Sequence, residues 1–67
     1  MKTCIKALRK ERGLSQAELA RELGVTRQTI ISIENERYTA SLVLAYRIAR
    51  FFGKTIEDVF DFSDVGE

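Results

Sequence analysis

Residues 16–33 read Q-A-E-L-A-R-E-L-G-V-T-R-Q-T-I-I-S-I, and this stretch decides the fold. Leu19 and Leu23 are apolar at i and i+4, and Gly24 follows where a helix can end at positive φ without steric cost. Thr26 is a residue of the N-cap type, and apolar spacing resumes after it. The pattern predicts two short helices joined by a tight turn.

These two helices must cross closely, and Ala20 places a small side chain where they meet. Ile30 and Ile33 give the second helix one apolar stripe, which leaves its opposite face open. This pattern is typical of a helix-turn-helix, and we expect the open face to be the part that would enter a DNA groove.

Helix signals elsewhere predict a compact, all-α unit of five helices. The predicted helices cover about residues 4–12, 16–23, 27–35, 42–52 and 56–60. Ser15 with Glu18 forms one capping box, Thr55 with Asp58 forms a second, and Ser41 can cap the fourth helix. Thr3 is a possible cap for the first helix, which Gly13 ends.

The fourth helix and the C-terminal segment carry further expectations. The inner face of the fourth helix is expected to hold Leu42, Ala45, Ile48, Ala49 and Phe52. Residues 60–63 alternate apolar and polar, which is weak support for a short C-terminal strand. The alternative is a frayed tail with Phe60 tucked into the core.

The chain has 67 residues, of which 45% are apolar, and this predicts a single small domain with a marginal core. With no His and one Cys, no intrachain disulfide and no zinc site is plausible, and no cofactor is expected. A homodimer is therefore the expected source of added stability. No apolar run reaches transmembrane length and no secretory leader is visible, so a cytoplasmic protein is expected.

The charges are unevenly distributed along the chain. Residues 1–56 hold all eleven Lys and Arg and five acids, a net charge of +6, whereas residues 57–67 hold five acids and no base. The acidic end either solubilises the terminus or keeps it away from DNA.

The chain resembles the helix-turn-helix regulators of the Cro and phage-repressor type, also called the xenobiotic-response-element type. The resemblance rests on R-K-E-R-G-L-S-Q-A-E-L-A-R-E-L-G-V-T-R-Q-T-I at 9–30, I-E-N-E-R-Y at 33–38 and S-L-V-L-A at 41–45. It implies a lambda-repressor-like domain with its helix-turn-helix at 15–35. The small stand-alone members further imply a dimeric transcriptional regulator, with a dimerisation segment at about 56–66 and a near-palindromic operator.

Four residues lie together on the open face of the second helix of the motif: Arg27, Gln28, Ile31 and Ser32. Arg27 can make bidentate bonds to guanine and Gln28 to adenine, so these residues are the expected base contacts. Ile31 either meets a thymine methyl group or packs on a neighbouring side chain. Relatives often carry small polar and basic residues at positions 31 and 32, so their operators do not transfer to this chain.

Phosphate contacts are expected around this face, from Gln16, Thr26, Asn35, Arg37 and Tyr38. Gln16 begins a helix, where free N–H groups favour an anion. The resemblance also implies that Gln16 supports the reading side chain of Arg27. It further implies a structural salt bridge between Arg9 and Glu34.

Two residues depart from the family's pattern. Glu36 stands where relatives usually place glycine, so the turn after the motif is expected to be strained or differently shaped. Ala40 replaces a common proline before Ser41, which leaves that loop less restrained.

The dimer is expected to use apolar side chains that the monomer core does not consume. Phe60, Phe62 and Val65 are the preferred candidates. Phe51, Ile56 and Val59 either join them or complete the monomer core.

Two other functions compete with DNA binding. Some members of the superfamily are antitoxins or co-activator domains, in which this scaffold is a protein-interaction module. An enzyme is not expected, because the chain has no His, no glycine-rich phosphate loop and no clustered carboxylates.

Overall fold

The computed structural model describes residues 2–37 and 40–63. Its elements in chain order are β1 (Lys2–Thr3), α1 (Ile5–Glu11), α2 (Gln16–Leu23), α3 (Arg27–Glu34), α4 (Leu42–Phe51), α5 (Ile56–Val59) and β2 (Phe60–Asp61). The predicted five-helix fold is confirmed, and each helix end lies within one residue of its expected position. In the described ranges, no helix is long and apolar enough to cross a membrane.

The starts of α2 to α5 are capped by side chains that the sequence singled out. The N-cap of α1 is Cys4, which makes no side-chain cap, and not the predicted Thr3. Ser15 Oγ accepts the Glu18 N–H at 3.0 Å, and Glu18 Oε1 accepts the Ser15 N–H at 2.7 Å, which completes a capping box. Thr55 and Asp58 form the same reciprocal pair at α5. These caps satisfy amide groups that have no partner within the helix.

The turn between α2 and α3 depends on Gly24, which has φ of 72°. The Val25 N–H reaches back to the Ala20 carbonyl at 3.0 Å, which closes the end of α2 in a Schellman-type arrangement. A side chain at this position would meet only ordinary contact with Arg47. The need for glycine therefore comes from the backbone conformation and not from lack of space.

The end of α3 has the same arrangement without a glycine. The Arg37 N–H donates to the Ser32 carbonyl at 3.0 Å, and Glu36 holds φ of 61°. Glu36 is the only non-glycine residue with positive φ in the described ranges. The sequence-based expectation of strain at this turn is supported, but the turn keeps the shape that glycine normally gives.

The core is one apolar cluster to which all five helices and β2 contribute. Ile30 and Ile33 of α3 are 0% and 1% exposed, and they pack in one cluster with Leu19 of α2 and Ile48 of α4. Ala20, at the crossing of α2 and α3, is also buried. The apolar stripe predicted for α3 therefore faces inward, and its other face is left open.

Two predictions about apolar residues are wrong. Leu42 is 78% exposed and does not lie on the inner face of α4, where Leu44 is buried instead. Phe60 is 2% exposed and belongs to the monomer core, so its side chain does not supply a dimer surface. Val59 is buried, and Phe51 and Ile56 pack against the core. For these three residues, the alternative that they complete the monomer core is the one observed.

The C-terminal strand is present and has a partner that the sequence did not reveal. β2 pairs antiparallel with β1, with Thr3 opposite Phe60 and Lys2 opposite Asp61. Successive strand residues point to opposite sides, so Phe60 enters the core while Asp61 remains exposed. Thr3 Oγ1 donates to the Val59 carbonyl at 3.0 Å, and it also accepts the Ile5 N–H at the start of α1.

Replacing Glu36 by glycine should raise the free energy of unfolding by about 1 kcal/mol, because it removes the left-handed strain of a residue with a Cβ. Urea denaturation of Glu36→Gly and the parent protein measures this change. Glu36→Ala is the matched control, since it removes the carboxylate but keeps the Cβ. An equal gain in Glu36→Ala would show that charge, and not backbone strain, limits stability here.

Candidate nucleic-acid interface

The open face of α3 carries the side chains that the sequence predicted. Arg27 and Gln28 are exposed, while Ile31 and Ser32 are half-buried at the edges of the same face. The opposite side of the helix is closed by buried isoleucines. Arg27 and Gln28 occupy the first turn, which is the part of such a helix that approaches base edges.

Thr26 fixes the start of α3 and keeps a hydroxyl at the edge of this face. Its Oγ1 accepts the Thr29 N–H at 3.2 Å, and the two hydroxyl oxygens lie 3.0 Å apart. When Thr29 donates in this pair, the Thr26 hydroxyl hydrogen is left for an external acceptor. The predicted phosphate contact of Thr26 is thus compatible with its role as the N-cap.

The other end of α3 is held by a buried ion pair between Arg9 and Glu34. Arg9 Nε donates to Glu34 Oε2 at 2.6 Å and Arg9 Nη2 donates to Oε1 at 3.2 Å, so the pairing is bidentate. The two side chains are 9% and 3% exposed. Arg9 Nη1 also donates to the Leu14 carbonyl at 2.8 Å, which ties the α1–α2 connection to the same point.

Gln16 joins this cluster through its side-chain amide. Its Nε2 donates to Glu34 Oε1 at 3.1 Å, so the first residue of α2 is tied to the last residue of α3. The support of Arg27 by Gln16 that the resemblance implied stays a prediction, and the structure adds a hydrogen bond from Gln16 to Glu34. One Nε2 hydrogen of Gln16 remains for an acceptor outside the protein.

The cluster also determines the charge state of Glu34. Burial by itself would raise the pKa of Glu34, but hydrogen bonds from Arg9 and Gln16 oppose it. Together with the positive charges of Arg9 and Lys6, they hold the pKa below its ordinary value of 4.5. Glu34 is therefore ionised at neutral pH, and the pair carries opposite full charges.

The remaining predicted phosphate contacts lie just beyond α3. Asn35 is the C-cap of α3, and it and Arg37 are both exposed. Tyr38 and Val65, predicted as a phosphate contact and a dimer contact, lie outside the described residues. Among the residues that the structure does describe, no group of His, Cys, Asp and Glu could hold a metal ion.

Sequence reasoning missed two features of the surface. Thr29 pairs with the N-cap Thr26, and the T-x-x-T spacing was the available signal. Leu42 and Tyr46 leave α4 with an exposed apolar side. The signal was that α4 contains more apolar residues than one buried stripe can hold.

α2 and α3 are two short helices joined at Gly24, and the first helical turn of α3 is polar and exposed. This arrangement defines a helix-turn-helix domain. Residues 5–59 match the family model described as "Helix-turn-helix". The chain belongs to this family of DNA-binding transcriptional regulators, in its Cro and phage-repressor branch.

Curated relatives cover nearly the whole chain. An uncharacterized HTH-type transcriptional regulator of Methanothermobacter thermautotrophicus is 55% identical over 67 residues, covering 98% of this chain and 97% of its own. A regulator of the same description from Methanocaldococcus jannaschii is 52% identical over 64 residues, or 96% and 97% of the two chains. YgzD of Bacillus subtilis, also described as an HTH-type regulator, is 47% identical and covers 90% and 91%.

Solved structures share the fold over a part of their length. The hypothetical transcription factor NHTF from Neisseria matches with a TM-score of 0.72 and 28% identity, over 81% of this chain and 62% of that one. The hydroxypropylphosphonic acid epoxidase of S. wedmorenis matches equally well at 31% identity, but this chain spans only 29% of its length. The fold thus also occurs as part of an enzyme.

Replacing Glu34 by glutamine should lower the free energy of unfolding by about 2 kcal/mol at pH 7, because Arg9 loses its charged acceptor while staying buried. Chemical denaturation as a function of pH measures this. The pKa of Glu34 is lowered by folding, so its stabilising effect is full above about pH 4.5 and fades as the pH falls further. The difference between the two proteins should therefore shrink in acid.

Glu22→Gln is the matched control for this measurement, because Glu22 is an exposed carboxylate on α2. Its effect should stay within about 0.5 kcal/mol across the same pH range. A difference between Glu34→Gln and the parent that does not change with pH would contradict the proposed origin of the stabilisation.

Proposed function

We propose that this protein is a sequence-specific regulator of transcription that binds double-stranded DNA as a homodimer and acts as a repressor. Each copy places α3 in the major groove and reads one half of a near-palindromic operator. The observation that carries the proposal is the two-sided character of α3. Ile30 and Ile33 are sealed in the core, while Arg27 and Gln28 are exposed on its first turn.

Base recognition is assigned to the open face of α3. Arg27 suits the two acceptors of guanine in the major groove, and Gln28 suits the donor and acceptor of adenine. Ser32 can donate or accept at the same face, and half-buried Ile31 offers a methyl surface to thymine. The buried cluster around Glu34 supports this assignment, because it bonds the C-terminal end of α3 to α1 and to the start of α2.

Phosphate binding is assigned to the residues that surround this face. Gln16 and Thr26 each stand at a helix start, where backbone N–H groups favour an anion. Gln16 Nε2 retains a hydrogen for an external acceptor, and Thr26 Oγ1 retains one when Thr29 donates to it. Asn35 and Arg37 are assigned phosphate contacts at the C-terminal end of α3. Tyr38 is assigned a phosphate contact on the sequence alone. Such contacts position the protein without reading sequence, and they make affinity depend on salt.

The dimer is assigned to the C-terminal side of the domain. Phe62 is 42% exposed and is a candidate for the interface, whereas Phe60 is buried in the monomer core. Val65 is a candidate on the sequence alone. A two-fold arrangement there would set two copies of α3 about 34 Å apart, which is one turn of DNA.

Selection from a random duplex library is the direct test of DNA recognition. The purified protein should enrich one motif with two related halves, and binding to that motif should weaken steeply as salt rises. Titrations at two salt concentrations measure this dependence. A library from which no motif is enriched, with binding indifferent to salt, would overturn the proposal.

Arg27→Ala should relax selectivity at one position in each half-site, at a loss of about 1–3 kcal/mol for the preferred base. Repeating the selection with the variant measures this change. Arg47→Ala is the matched control, because it removes another exposed arginine, on α4, and should leave the motif intact. A uniform loss over all sequences would show that Arg27 contacts phosphate and not a base.

A further inference from the structure

The turn after α3 places an acidic side chain beside the residues that are assigned to phosphate binding. Glu36 lies between Asn35 and Arg37, and all three are exposed. The Glu36 N–H donates to the Ile33 carbonyl at 3.0 Å. The next N–H, that of Arg37, donates to the Ser32 carbonyl, also at 3.0 Å. The backbone of Glu36 therefore has a fixed place at the end of α3.

The backbone conformation at Glu36 is unfavourable for a residue with a Cβ. Its φ of 61° is left-handed, and no other non-glycine residue of the described ranges has a positive φ. Glycine would adopt this conformation without the steric cost. A side chain that is kept where the backbone would favour glycine points to a role outside folding.

The length of α3 indicates what this side chain meets on DNA. The helix has eight residues, so its two ends lie about 12 Å apart. The major groove is also about 12 Å wide. When Arg27 and Gln28 of the first turn are at the base edges, the other end of α3 therefore reaches the wall of the groove, which consists of phosphates.

The Glu36 carboxylate has a charge that the domain does not offset nearby. Within residues 2–37 and 40–63 there is one ion pair, between Arg9 and Glu34. Glu36 is therefore an exposed acid with no cation at ion-pair distance in these ranges. A unit charge about 4 Å from a phosphate changes affinity about fivefold in water-like surroundings, and two negative charges make this change a loss.

We propose that Glu36 limits the affinity of the DNA interface. Its carboxylate is repelled by phosphates at the wall of the groove, beside the attractive contacts assigned to Asn35 and Arg37. Phosphates are the same in every sequence, so Glu36 weakens binding to all duplexes by one factor and leaves the operator motif unchanged. The proposal rests on the proposed DNA-binding function and adds to it a residue that opposes binding.

Glu36→Gln tests this proposal, because glutamine keeps the Cβ and the length of the side chain and removes only the charge. Affinities for the selected operator and for an unrelated duplex should rise by the same factor, about three- to tenfold at low salt. This gain should fade as salt rises, because salt screens exposed charges. Fluorescence anisotropy with both labelled duplexes at several salt concentrations measures it. Glu36→Lys should gain about as much again.

Glu22→Gln is the matched control, because it removes the same charge from an exposed position on α2. Glu22 lines a groove with Tyr46 and Arg47 of α4. Its replacement should leave both affinities within about twofold of those of the parent protein. An equal gain in Glu22→Gln would show that net charge, and not the position of Glu36, limits affinity, and would overturn the proposal.

The outcomes separate this proposal from the proposed function. If the parent protein binds its operator and Glu36→Gln binds it no more tightly, the affinity limit is wrong while DNA binding stands. Weaker binding by Glu36→Gln, with selectivity relaxed at one position in each half-site, would show that the carboxylate accepts from a base amino group, and it would also overturn the limit. If neither protein binds any duplex in a salt-dependent way, both proposals fail.

Discussion

The buried pair of Arg9 and Glu34 is the constraint on which the placement of α3 depends. Four hydrogen bonds in and around the pair join residues of α1, the α1–α2 connection, the start of α2 and the end of α3. A buried charge without its partner would be costly. Moving any one of these segments away from the others is therefore opposed. Packing by Ile30 and Ile33 sets which face of α3 is buried, and the ion pair sets where the end of α3 lies.

The sequence predicts the local structure of this domain well because local interactions specify it. The Ser15–Glu18 and Thr55–Asp58 capping boxes and the glycine turn at Gly24 each involve residues within a few positions of one another. The open face of α3 follows from helical spacing alone, and the pairing of Arg9 with Glu34 was available from the family resemblance. Whether the residues of that face contact bases or phosphates remains a prediction.

The features that the sequence missed involve residues far apart in the chain. Phe60 is buried because β2 pairs with β1, and two-residue strands carry too little periodicity to be recognised. Leu42 was predicted to be buried because α4 is apolar on more than one side. The spacing of its apolar residues therefore does not determine which side faces the core. The contacts with α2 and α5 select the face that holds Leu44. The partner of Gln16 is likewise set by packing, which brings it to Glu34.

Pairing of β1 with β2 has a consequence for the order in which the chain becomes structured. The helices require only neighbouring residues, whereas joining Thr3 to Phe60 closes a loop of almost the whole sequence. Closing this loop costs more conformational entropy than forming any one helix turn. The two short strands are therefore expected to open more readily than the core helices. Phe62 follows β2 directly. A substitution in β1 that weakens its pairing with β2 would therefore also loosen the position of Phe62, although the two lie near opposite ends of the sequence.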